Sequence, residues 1–434
     1  MKKYIVSTVV PGAELDNNFL KAISNFCHKE SAKALFIETA PLYKDDLSDP
    51  MITAYGEVLE NILQLNKNLA IVPLSISASQ IDPITGLDRL FGIEHSAIVP
   101  SPKQRLKSIA SPSMSYPKVL MSPGAVTKPY YKVNKQKMLS EADHVMGAIV
   151  VEIVSDKNYH FRQVQASSDG SFIDLGFKYT AQGDKVKAEV SALIPGDYHC
   201  GFTDPTVVSA LEEMIDTLKP GNLILHDFFD GISVNHHIEH KILPKAVMGN
   251  LNDLEAELKL GSDELCRLSK LVPKVVMVKS NHDEFLDRWL DEGVFIKDNR
   301  NLIIGLELAT AKAKGNDPLE YGFKKYRKFN NVKFLKSDES YKLTPKKIEF
   351  GAHGHLGPNG SRGSTKSIER SYINSVTGHS HSPEIQRNAW VVGTSTYLKL
   401  SYNRGPSSWM QTACVVYKNG DRQLINIFNS KWRG

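Results

Sequence analysis

The sequence predicts an α/β protein, and two observations carry that prediction. Short β-branched and apolar runs alternate with amphipathic helical patterns, and five of the predicted strands end in clusters of Asp, Asn and His. The chain has 434 residues, enough for two or three cores. Hydrophobic residues make up 41% and charged residues 23%, which excludes a fibrous or disordered class.

The first hundred residues open the alternation. Tyr4–Val10 reads as a strand, Asn18–Lys29 as an amphipathic helix and Ala34–Glu38 as the next strand. A helix near Tyr55–Leu65 and a strand at Leu69–Ser75 follow. The stretch 96–135 is rich in Pro, Ser and Lys, as in Ser101–Ser108 (SPKQRLKS), and reads as a long surface connection or as a basic loop touching phosphates. Ala148–Val154 and Phe161–Gln165 suggest a meander. The divisions are an N-terminal α/β domain at 1–135, a β-rich connection at 136–190 and a catalytic domain at 191–434.

The four cysteines lie far apart and form no C-x-x-C pair, which argues against a zinc ribbon and fits a reducing compartment. No apolar run reaches the roughly 18–20 residues that span a bilayer, so a cytoplasmic chain with no membrane partner is expected. The N-terminus lacks the long apolar core of a signal peptide and reads as a strand. A net charge of +5 is compatible with a polyanionic substrate.

The chemistry lies in the strand-end clusters. Ala192-Leu193-Ile194 leads into Gly196-Asp197-Tyr198-His199, and Asn222–Leu225 into His226-Asp227-Phe228-Phe229-Asp230. Lys274–Lys279 leads into Ser280-Asn281-His282-Asp283, Lys347–Phe350 into Gly351-Ala352-His353-Gly354-His355, and Tyr372–Val376 into Gly378-His379-Ser380-His381. One such cluster is more often structural. Five in order predict convergence at one sheet edge, where ligands distant in sequence meet. Mixed imidazole and carboxylate donors without thiolates suit manganese, iron or zinc.

In this order, GDYH, HDFFD, SNHD, GAHGH and GHSH resemble the motif series of the calcineurin-like metallophosphoesterases, over about residues 190–400. The resemblance implies a β-sandwich flanked by helices, here preceded by an additional α/β region, with two divalent metal ions bridged by one aspartate. Carried over position by position, Asp197, His199, Asp227 and His381 would hold one metal. Asp227, Asn281, His353 and His379 would hold the other. His282 would sit over the substrate phosphate as proton donor to the leaving oxygen or as a transition-state stabiliser, Asp283 would orient it, and Asp230 would support a ligand histidine. His226 and Ser280 stand where the family carries glycine, and His355 competes with His353 for the fourth motif.

Three further segments invite a role. Tyr321–Lys336 interleaves aromatics with Lys324, Lys325, Arg327 and Lys328, a composition that suits a nucleic-acid groove or a solvated basic face. The loop 357–366 offers Arg362 and Lys366 to a phosphate. His236 and His240, at helical spacing, would line the cleft. The substrate expected from these basic segments is DNA, as for the SbcD-like and phage-encoded nucleases of that family, acting in the host cytoplasm if the chain is virus-encoded. A phosphomonoesterase, or a binding scaffold with a decayed site, is the alternative. Assembly as a homo-oligomer stays open.

Overall fold

The computed structural model describes residues 2–91, 95–112, 118–132, 135–236, 252–400 and 403–434. It is a mixed α/β structure with several sheets. The sheet that positions the site has six strands. Val332–Phe334, Val275–Met277, Asn222–Leu225 and Val190–Ile194 run parallel in that spatial order, and Thr412–Tyr417 and Arg422–Asn426 continue it antiparallel.

Strand alternation decides what each face covers, because successive side chains leave a strand on opposite sides. Leu193, Leu223, Leu225, Val275 and Met277 face a helical layer and pack with Val207, Leu211, Leu258, Leu265 and Phe323. Those partners come from the helices Pro205–Leu218, Leu254–Ser269 and Pro318–Tyr326. The intervening Ala192, Ile194, Ile224 and Val276 pack on the other face with Ile348, Val376, Ile385 and Trp390 of a ten-stranded sheet. In two interior parallel strands, Leu223 to Leu225 and Val275 to Met277 are buried on both sides and read as short continuous apolar runs, whereas the edge strand Val332–Phe334 is half-buried.

Strands from residues 1–135 and from residues 191–434 share one sheet. Glu384–Gln386 pairs antiparallel with Arg105–Lys107, so the ten-stranded sheet runs unbroken from the C-terminal strands into the N-terminal ones. The same core also takes in Val6, Leu35, Ile149 and Val151 of a five-stranded sheet. That sheet carries the helix Asn17–Glu30 on its far face, through Ile5, Phe36, Phe19, Ile23 and Phe26.

Two local expectations are corrected. The segment 96–135 is no surface connection: it supplies strands Ser96–Ile98, Gln104–Ile109 and Lys118–Pro123, and Lys103 and Arg105 are only 1% and 4% exposed. Their charges are satisfied internally, Lys103 Nζ by the Gln80 carbonyl at 2.6 Å and Arg105 by Asp143 at 3.1 Å, so they are not phosphate contacts. In place of a helix near 55–65, the chain forms a 3₁₀ turn at Pro50–Ala54 and strands Glu57–Val58 and Leu63–Asn66. Glu57–Val58 extends the parallel edge beside Leu35 and Phe36, and that pairing overrides helical spacing. Among the described residues, no helix is long and apolar enough to cross a membrane.

Candidate metal centre

The loops that follow the parallel strands are tied to one another before any side chain is considered. Tyr198, His199 and Cys200 donate their backbone N–H groups to the carbonyls of His226, Asp227 and Phe228, at 3.1, 2.7 and 2.9 Å. Asp197 N–H donates to the Gly393 carbonyl at 3.1 Å, and Gly378 N–H to the His353 carbonyl at 2.8 Å. Backbone hydrogen bonds thus tie the first two motifs to each other and the last two to each other, on loops that follow strands of the six-stranded and the ten-stranded sheet, at strand ends where α/β folds gather ligands.

From these loops the side chains form two constellations with one member in common. The donor atoms of His199, Asp227 and His381 lie within 4.8 Å of one another, and so do those of Asp227, His353 and His379. Asp227 Oδ2 is 3.0 Å from His353 Nε2 and 3.7 Å from His199 Nε2. Asp197 Oδ2 is 3.3 Å from His381 Nε2 and accepts the His379 backbone N–H at 2.6 Å. Asn281 Oδ1 meets His379 Nδ1 at 3.1 Å. All seven residues proposed from the sequence as metal ligands are thus brought together.

The chain bends into unusual backbone to do this. His199, Asp227, His379 and His381 have φ of +45°, +44°, +77° and +57°. Left-handed backbone costs a non-glycine residue on the order of 1–3 kcal/mol, and here it clusters at four of the seven converging positions. The glycine of GHSH has a steric cause: a Cβ on Gly378 would stand 2.0 Å from Asp197 Oδ1.

The electrostatics follow from burial. Asp197 is buried, and burial together with the neighbouring Asp227 charge holds its carboxyl well above the usual range. Burial also opposes ionisation of Asp227, but the imidazoles of His353, His282 and His199 outweigh it and hold Asp227 well below the usual range. Burial lowers His353, takes His379 down to about 4 and His381 well below its ordinary value. His199 goes the other way, to about 9: burial opposes its charge, but Asp230, Asp227 and Asp197 more than compensate.

Buried Asp197 Oδ1 and Asp227 Oδ1 have no hydrogen-bond partner. Unsatisfied carboxylate oxygens are costly in a protein interior, and a cation between them and the imidazoles would remove that cost. The donor set therefore fits a metal ion, and these buried His and Asp groups can hold one.

His282 and Asp230 sit at the edge of the same site. His199 Nδ1 lies 2.8 Å from Asp230 Oδ1, which leaves its Nε2 for the centre. His282 Nδ1 lies 2.5 Å from the Asp230 carbonyl oxygen, and its ring centroid is 4.6 Å from that of His199. Asp283 differs from expectation. Its Oδ2 accepts from Ser280 N–H at 2.9 Å and from Ser280 Oγ at 3.1 Å, capping the helix Asn281–Asp291. Asp283 sets where Asn281 and His282 emerge, and the Asp230 carbonyl orients the His282 ring.

His353 is the fourth-motif residue in the cluster, whereas His355 Nε2 pairs with Glu284 at 3.3 Å. His226 is a packed histidine, fully buried, with Nδ1 3.4 Å from His353 Nδ1. His236 lies against Phe285, with ring centroids 5.3 Å apart; His240 falls outside the described residues. Arg362 and Lys366 are exposed, Arg362 on a loop joined to the site through the Gly363 N–H to His355 carbonyl bond of 2.8 Å and Lys366 in the first turn of the helix Thr365–Ser371 that follows it. Lys324 and Arg327 are instead bound to acids: Lys324 pairs with Glu320, and Arg327 with Asp263 at 2.6 Å. Lys325 pairs with Glu307 at 2.6 Å, so this segment does not present free cationic groups as a row.

Sequence reasoning passed over Glu257. Its carboxylate accepts the Ile232 and Ser233 N–H groups at 3.1 Å each and Ser233 Oγ at 2.5 Å, fixing the turn after Asp230. It lies within the helix Leu254–Ser269, a position with no local signal. Trp409 was passed over as well; its ring centroid is 4.2 Å from that of His381.

Comparison with known proteins gives one likeness. Protein A1 of Escherichia phage T5 is 33% identical to this chain over 335 residues, which cover 72% of this chain and 59% of that protein. The chain thus spans less than two thirds of the length of that relative. No family model matches the chain, and no solved structure matches it.

Proposed function

We propose that this chain is a two-metal phosphoesterase of the calcineurin-like kind that hydrolyses phosphodiester bonds, with DNA as its substrate. The observation that carries the reading is the shared carboxylate. Asp227 belongs to both donor constellations, His199 and His381 on one side and His353 and His379 on the other. The packing of the six-stranded sheet against the ten-stranded one, with helices outside, supports a sandwich of that family's type.

Asp197, His199, Asp227 and His381 would hold one cation, and Asp227, Asn281, His353 and His379 the other. Two divalent ions bound there, manganese foremost with iron and zinc as alternatives, would acidify a water and neutralise charge on the phosphoryl oxygens. The chain's own residues supply the rest. Asp230 fixes the tautomer of His199. His282, held at Nδ1 by the Asp230 carbonyl and partly exposed, presents Nε2 to donate a proton to the leaving oxygen. Asp283 holds the helix start that carries Asn281 and His282 in place. Arg362, on the loop beside His355, and Lys366, in the helix turn that follows, would contact a long substrate. The likeness to a phage protein supports a virus-encoded enzyme working in host cytoplasm.

The test offers the manganese-loaded chain linear duplex DNA, single-stranded DNA, bis-p-nitrophenyl phosphate and p-nitrophenyl phosphate. Degradation of DNA together with the diester is expected. Turnover of the monoester alone would replace the nuclease reading with a phosphomonoesterase, and no hydrolysis of any substrate would leave a binding scaffold.

A further inference from the structure

The two sides of the centre carry opposite chemistry. Beside His353 and His355 opens a pocket of about 340 Å³ whose lining includes Glu284, Asp338, Glu339 and Glu349, a poor place for a polyanion. The His199 and His381 side is different. Trp409 packs on the His381 ring at 4.2 Å, Met410 N–H donates to the His381 carbonyl at 3.1 Å, and Ser408 and Ser382 share a hydrogen bond of 2.8 Å. The neighbouring segment is tied to the other ligand turn, since Tyr397 N–H donates to the Phe202 carbonyl at 3.3 Å and Phe202 N–H to that of His199 at 2.8 Å.

From these anchors the chain presents an aromatic and two cations. Tyr397 is 48% exposed, and Lys399 and Arg404 are exposed at the rim of an open concavity of about 630 Å³. Neither cation is paired with a carboxylate among the described residues, in contrast to Lys324, Lys325 and Arg327. Unpaired cations beside an exposed ring are what a single strand needs: charge for its phosphates and a face for an unstacked base.

We propose that Tyr397, Lys399 and Arg404 form the track that holds a single-stranded polynucleotide on the His199–His381 side of the centre. This rests on the phosphodiesterase reading above and adds the direction from which the strand reaches the site.

The full chain would be titrated with a fluorescein-labelled oligothymidylate in EDTA, reading anisotropy across a salt series. Lys399→Glu with Arg404→Glu should weaken binding at least tenfold, with a salt slope shallower by ~0.7 per lost phosphate contact. Tyr397→Ala should weaken it by roughly tenfold with the slope unchanged. A charge-matched control, Lys67→Glu with Lys418→Glu, alters exposed cations elsewhere and should bind as wild type does. Wild-type affinity in the Lys399/Arg404 variant, an equal loss in the control, or no binding by the wild type would each overturn the track. The catalytic reading is judged separately: manganese-loaded wild type that leaves bis-p-nitrophenyl phosphate intact sinks that reading, whatever the anisotropy shows.

Discussion

The Nε2 atoms of His199 and His381 stand 3.0 Å apart, in residues separated by 182 positions, while Asp230 takes up the other nitrogen of His199. Two imidazole nitrogens facing one another at this distance converge on one point, where a single proton or a single cation can serve both. The arrangement depends on Asp230, because a His199 free to turn would lose the alignment.

Replacing Asp230 with Ala should therefore weaken metal binding about 10- to 100-fold, the usual effect of losing a carboxylate behind a ligand histidine. Titration calorimetry with manganese on the chelator-treated chain reads this directly. An unchanged affinity would show that Asp230 does not orient His199.

His282 should separate chemistry from metal binding. His282→Ala is expected to lower turnover by roughly 10²–10⁴-fold, the range for loss of a general acid, with metal content unaltered. Full turnover on a diester with a poor leaving group would remove His282 from the proton transfer.

Gly378→Ala tests the geometry without touching a ligand. The added Cβ would meet Asp197 Oδ1 at 2.0 Å, a contact that must displace either the GHSH turn or the carboxylate. Lower metal affinity and a lower Tm are expected in the same variant. A variant equal to wild type in both would mean that the turn is looser than its contacts imply.

A pH effect is expected away from the metal centre. Glu152 and Asp174 flank Arg162 at 3.0 and 2.5 Å, and all three side chains are at most 5% exposed. Burial works against the Glu152 charge, but Arg162 overrides it and brings the carboxyl down from 4.5 to about 2. A lowered carboxylate pKa adds stability that is complete above the unfolded value near 4.5 and is lost as pH falls towards 2. The gap corresponds to about 3 kcal/mol. Urea unfolding of wild type and Glu152→Gln should differ most at pH 6 and converge near pH 2; a difference constant with pH would contradict the pairing.

The convergence of the seven side chains was legible in the sequence because each follows a short strand, and parallel strands end together. The motif from Asn281 to Asp283 was legible as residues but not as bonds: the Ser280 cap takes Asp283, a preference of helix starts that competes with any contact to His282. The surroundings were hidden for a different reason. Glu257 acts from the first turn of a distant helix, and Arg327 and Lys325 of the 321–336 segment pair with Asp263 and Glu307, partners that spacing does not reveal. The union of the N-terminal strands with the C-terminal sheet depends on pairing between Arg105–Lys107 and Glu384–Gln386, nearly 280 residues apart in sequence.

The shared role of Asp227 is tested most directly by counting metal ions. Calorimetric titration of the chelator-treated chain with manganese, checked by elemental analysis, should give two ions per wild-type chain and weakened binding at both sites in Asp227→Asn. A single site in the wild type, or an Asp227→Asn chain that keeps two ions at full affinity, would contradict a carboxylate held in common.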